Sequence, residues 1–105
     1  MRFLLTIGIL LLSISTARAA EHVGDAAEGK RVAAMSCANC HDVAGTTKSP
    51  PGAAPPFVTV ARSGTDAAKL RKFLRLPHGK MTNVLLTERN TDDVVSYIQS
   101  LATAK

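Results

Sequence analysis

The chain has 105 residues, with 13 Lys and Arg against 8 Asp and Glu, two cysteines, one tyrosine and no tryptophan. Two cysteines exclude a disulfide-stapled framework, and the basic surplus lacks the interleaved aromatic residues of a nucleic-acid binder. A modest positive excess suits a face that meets acidic protein partners instead.

Residues 1–19 read as a secretory signal peptide. Arg2 supplies the positive n-region, Phe3 to Ile14 the apolar h-region, and Ala17-Arg18-Ala19 a small-x-small cleavage site. The apolar run falls short of the ~20 residues that span a bilayer, so no stable membrane insertion is expected after cleavage. No cysteine follows it to accept a lipid. Cleavage after Ala19 leaves one domain, 20–105, with 11 basic and 8 acidic residues. A domain of this size is marginal on its apolar core alone and usually recruits a metal, a disulfide or a cofactor.

The first helix is predicted over Asp25 to Ser36, with Asp25 as N-cap and Glu28 completing a capping box. Gly29, Val32 and Ala33 share one side. The helix runs into Cys37-Ala38-Asn39-Cys40-His41. From Asp42 to Gly64 a loop is expected, since Pro50, Pro51, Pro55 and Pro56 cannot sustain a helix. Thr65 or Asp66 then caps a second helix to about Arg75, burying Ala67, Leu70, Phe73 and Leu74 and exposing Lys69, Lys72 and Arg75. Pro77 to Leu86 is a second loop. Thr87 caps a last helix to about Ala102, with Thr91, Val94, Tyr97, Ile98 and Leu101 on one face; Thr91-Asp92-Asp93 offers a cap for a shorter version. No stretch alternates like a strand, so the fold class is all-α.

The Cys37–His41 pentapeptide is a C-x-x-C-H motif, the attachment signature of c-type haem. Each thiolate can form a thioether to the porphyrin, and the following His41 is then held at the iron as its proximal ligand. A zinc site would need further Cys or His pairs, which are missing. A thioredoxin-like dithiol would need a βαβ pattern, which does not follow. Haem c with its iron is therefore the expected cofactor, bound through Cys37 and Cys40.

The second axial position is open to two residues. Met81, in Pro77-His78-Gly79-Lys80-Met81, is a soft thioether donor in a loop able to fold over the opposite face, and His/Met ligation raises the reduction potential. His78 is the rival, and bis-His ligation would lower that potential. Met35 lies too close to the attachment site to reach the far face and is expected in the core. His22 is expected to be solvated.

Across essentially all of its mature length the chain resembles the small bacterial class I cytochromes c. The resemblance rests on Gly29 eight residues before Cys37, the Cys37–His41 motif, Ala54-Pro55-Pro56-Phe57, the Pro77–Met81 segment, and Leu86-Thr87 leading to Val94, Val95, Tyr97 and Ile98. It implies three to four helices wrapped around one haem. It also implies a close crossing of first and last helices at Gly29 against Tyr97, and Met81 as distal ligand. A proline carbonyl should accept a hydrogen bond from the proximal histidine, with Pro55 the first candidate and Pro56 the next. Two positions depart from the family: Ala33 stands where an aromatic is common, and Thr82 follows Met81 where proline is common. With no aromatic cluster at the haem edge, the expected lining is Val43, Val58, Val60, Leu70, Leu74, Leu85 and Leu86.

Iron ligated by His41 and Met81 has no open position, which leaves single-electron transfer and no enzymatic role. The expected protein is a periplasmic, monomeric carrier that meets an oxidase, reductase or dehydrogenase transiently. Lys30, Lys48, Lys69, Lys72, Arg75 and Lys80 either ring the haem edge and steer such partners or form ordinary solvated faces. The alternatives are a haem subunit fixed to a larger dehydrogenase or oxidase complex, and a ligand-binding or peroxidatic haem protein in which Met81 dissociates.

Overall fold

A computed structural model describes residues 23–46, 54–79 and 85–103. Residues 1–22, Lys48, Lys80, Met81 and Thr82 lie outside the described residues. Four α-helices follow in order: α1 (Ala26–Ser36), α2 (Phe57–Arg62), α3 (Ala67–Leu74) and α4 (Glu88–Ser100), the last tightening into a 3-10 turn at Leu101–Thr103. There is no strand among the described residues.

The scaffold is the crossing of α1 on α4. Gly29 faces the backbone of α4 so closely that a Cβ built on it would lie 1.9 Å from the Asp93 carbonyl oxygen and 2.9 Å from Tyr97 Cβ. Only hydrogen fits there. Val32 and Ala33 follow on the same side of α1, and Thr91, Val94, Val95, Tyr97 and Ile98 bury the facing stripe of α4. Thr91 is a fully buried hydroxyl, tolerated because it donates to the Thr87 carbonyl at 2.9 Å. Thr87 caps α4 by accepting from Asn90 N–H at 3.1 Å, so the longer version of this helix forms.

Asp25 caps α1 as expected, its carboxylate accepting from the N–H groups of Ala27 and Glu28 at 2.9 and 3.1 Å. The reciprocal half of the capping box does not form. Glu28 is instead held by Arg31 Nε at 3.0 and 2.9 Å, since the guanidinium fork matches a carboxylate better than one N–H does. The Asp25 N–H donates to Asp93 Oδ1 at 2.8 Å, a carboxylate buried in α4. The positive end of α1 is thus completed from the opposite helix.

Two further expectations are corrected. The long loop contains α2, because Pro56 sits at the N-cap, φ −57°, where its missing N–H costs nothing. At six residues α2 is too short to show a helical period, and it buries Phe57 and Val58. Met35 is not in the core: it is 70% exposed, with its sulfur 3.1 Å from Arg31 Nη1. It lies on the solvent side of α1, away from the stripe of Gly29, Val32 and Ala33.

Asp66 caps α3 by accepting from Lys69 N–H at 2.8 Å. Ion pairs from Arg71 to Asp92 (2.7 Å) and from Arg75 to Glu88 (3.4 Å) tie α3 to α4. Of the expected stripe, Leu70 is buried and Ala67 and Leu74 are half-buried, but Phe73 is 56% exposed. It turns toward a cleft rather than the core.

Candidate functional site

The Cys37–His41 segment continues the end of α1 as a tight turn. Cys37 N–H donates to the Ala33 carbonyl (2.8 Å), and the Cys37 carbonyl accepts from the N–H groups of Cys40 (3.2 Å) and His41 (2.9 Å). Both thiols and the imidazole are therefore set by helix geometry. Cys37 is buried and Cys40 is exposed, and no disulfide joins them. Burial pushes the Cys37 thiol above its ordinary range. A redox dithiol needs the opposite shift, toward thiolate.

A short extended run lies back against this turn. Ala54 N–H donates to the Cys40 carbonyl (3.1 Å) and Phe57 N–H to the Asp42 carbonyl (2.9 Å). Between those two ties sits Pro55, whose carbonyl oxygen is 2.7 Å from His41 Nδ1. With a carbonyl as partner, Nδ1 must carry a proton, so in the neutral ring the free lone pair is on Nε2. Asp42, next to His41, is held below the usual carboxylate range by the Thr46 hydroxyl and then by the Ala44 N–H. Behind the turn, the Tyr97 hydroxyl donates to the Val43 carbonyl and anchors the segment to α4.

His41 opens onto two adjoining clefts that share Val60, Leu70, Phe73 and His78, the larger about 570 Å³. Cys37, Leu74, Leu86 and Ile98 continue the apolar wall. Four of the seven expected aliphatics are therefore in place: Val60, Leu70, Leu74 and Leu86. Val58 is instead core, Leu85 is 85% exposed, and Val43 lies on the other side of the turn beside Cys40. The wall also holds rings that the sequence reading did not assign to it. His41 and Phe57 centroids are 5.2 Å apart, Phe73 and His78 4.5 Å. Phe57 ends the quoted Ala54–Phe57 segment, while Phe73 and Ile98 are apolar stripe positions that face the cleft. Met81 lies outside the described residues. A flat apolar group bearing a metal fits this donor set: the Cys37 thiol and the His41 ring line the greasy slot, and the exposed Cys40 thiol sits on the same turn. Among the described residues, no group of three or more His, Cys, Asp or Glu could hold a metal as zinc requires.

The family model for cytochrome c matches residues 26–102, the whole span from α1 to the final turn. The chain belongs to the cytochrome c family. A curated relative, cytochrome c-552 of Bradyrhizobium diazoefficiens, is 33% identical over 93 residues, covering 88% of this chain and 89% of its own length. No solved structure matches. As a cytochrome c the protein carries covalently bound haem c with its iron, and its two cysteines are Cys37 and Cys40. Its fold is the all-α fold that the resemblance implied, with four α-helices among the described residues. Membership also implies redox partners. Among the described residues, no helix is long and apolar enough to cross a membrane.

Proposed function

We propose that this cytochrome c is an exported single-electron carrier whose haem is anchored by Cys37 and Cys40 and ligated by His41 and Met81. The observation that carries the reading is the His41 ring. Its Nδ1 is tied to Pro55 O at 2.7 Å, and its remaining nitrogen belongs to a residue lining the apolar cleft. A carbonyl at Nδ1 sets the tautomer, fixes the ring's rotation and raises the basicity of Nε2. Haem c supplies reversible one-electron chemistry at its iron.

The protein's part is to hold both ligands still and keep water out. Leu70, Leu74, Leu86 and Ile98 lower the local dielectric around the slot, while the Pro55 carbonyl prevents His41 from turning away. A soft thioether from Met81 favours the ferrous state and closes the second position, so substrate has nowhere to bind. The role is that of a carrier, not an enzyme. Lys69 stands at the mouth of the larger cleft and Lys72 is exposed on the same helix, which suits weak, salt-sensitive docking to an acidic oxidase, reductase or dehydrogenase. Removal of residues 1–19 delivers a mature monomer to the periplasm.

Visible spectroscopy of the purified holoprotein tests the ligand set. Ferric protein should show the weak far-red absorption of sulfur-to-iron coordination, and Met81→Ala should abolish it. Survival of that band in the variant would sink the Met81 assignment. A colourless protein from a host competent in cytochrome maturation would sink the whole reading.

A further inference from the structure

His78 lines both clefts beside His41, and the two imidazole centroids are 6.2 Å apart. Two imidazoles bound to one metal from opposite poles, each with a nitrogen–metal bond of about 2 Å, have centroids about 6 Å apart. Axial rings share a bond axis, not a plane, so the 62° between the two ring planes is compatible with that arrangement. His78 is also supported from behind. The Phe73 ring lies 4.5 Å from it at a 33° tilt, restricting where the imidazole can go. Gly79 follows with φ +55°, a backbone that side-chain-bearing residues rarely adopt.

From this geometry we propose that His78 is an alternate axial ligand, taking the distal position whenever the Met81 sulfur is off the iron. The proposal rests on the reading that Met81 ligates the native protein. In the exchange one iron–sulfur bond breaks and one iron–nitrogen bond forms. The lone pair comes from the neutral imidazole, a protonated ring first giving its proton to solvent, and no electron changes hands. Thioether favours ferrous iron and imidazole ferric, so the exchange is drawn toward the oxidised protein and lowers its potential. A carrier whose Met81 has dissociated or been oxidised would then be closed by His78, and kept from binding small molecules.

The test uses ferric holoprotein carrying Met81→Ala and the same chain with His78→Phe added, which keeps a ring against Phe73. Met81→Ala should lose the far-red band yet remain low-spin, with the electron paramagnetic resonance of two axial nitrogens and a midpoint potential below the native one. The double variant should turn high-spin. It should bind added imidazole at least about tenfold more tightly than Met81→Ala, as expected if His78 occupies nine-tenths of the iron. Should the alanine variant fail to retain haem, Met81→Leu keeps the volume without the donor. A high-spin Met81→Ala, or a double variant that keeps the two-nitrogen signal, overturns the proposal. A far-red band surviving in Met81→Ala overturns the Met81 assignment, and this proposal with it, by a different readout.

Discussion

The α1–α4 crossing and the His41 cleft are both built from apolar side chains and behave as opposites. At the crossing every large residue is matched by protein: Val94, Val95 and Thr91 are almost inaccessible, and the gap at Gly29 admits only hydrogen. At the cleft the inner wall, Phe57, Leu70 and Ile98 among it, is buried, while the outer rim is left uncovered by protein. Phe73 is 56% and Leu76 61% exposed, although both line the slot with Cys37 and His41. One region is complementary to a helix and the other to a cofactor. Substitutions in the first should therefore register as lost stability, and substitutions in the second as an altered haem.

The sharpest way to break the distinction is Gly29→Ala. A methyl placed 1.9 Å from a backbone oxygen forces the helices apart, and we expect a cost of about 3 kcal/mol. Thermal melting of the holoprotein should fall by roughly 10–20 °C. A melting point within a few degrees of the parent would mean that the crossing is looser than its geometry.

Asp93→Ala comes next. It strips the Asp25 N–H of its partner beneath the helix crossing, which should cost about 1–3 kcal/mol. Asp93→Asn retains an acceptor oxygen at the same place and should recover most of the loss in denaturant titration. Equal losses in both variants would show that charge, not the hydrogen bond, matters there.

Tyr97→Phe removes one hydrogen bond, to the Val43 carbonyl, worth about 1 kcal/mol. It also carries a pH signature. Burial, and then the nearby Asp42 charge, raise the Tyr97 pKa above its ordinary value. Its stabilisation is therefore complete below the unfolded tyrosine pKa of about 10 and is lost as pH climbs through the folded value. Stability measured against pH should fall less steeply above about 10 in the phenylalanine variant. Identical alkaline limbs would count against a role for Tyr97.

On the cleft side, Phe73→Ala takes a ring out of the wall that faces the haem. Its effect should appear in the haem midpoint potential, through the wider access of water. An unchanged potential with a large drop in melting temperature would reverse the assignment of Phe73 to the cofactor side. Smallest of all should be Arg71→Ala. Its pair with Asp92 is partly exposed, and losing it should cost no more than about 1 kcal/mol at low salt, vanishing as salt rises.

Much of this was legible in the residues. The caps of α1, α3 and α4 are Asp25, Asp66 and Thr87, and each accepts from the N–H groups its position predicts. The burial of Thr91, Val94, Tyr97, Ile98 and Leu101 follows the period of the chain. The haem motif was explicit as well, because attachment chemistry needs its donors at fixed local spacing. Pro55 came into view only by resemblance: nothing local about a proline says that its carbonyl will meet an imidazole 14 residues earlier in the chain.

Local order, then, was the sequence's own determination: where three of the helices start, which of their faces turn inward, and where two thiols and an imidazole sit on one turn. Those are outcomes of bonding and periodicity over a few residues. Tertiary structure alone decided that Asp93 rather than Glu28 completes the first helix, that a six-residue α2 forms behind its prolines, and that Phe73 faces a slot while Met35 faces water. Each of these outcomes turns on a competition between partners far apart in the chain, and such a competition is settled only when both are brought within hydrogen-bonding or packing distance.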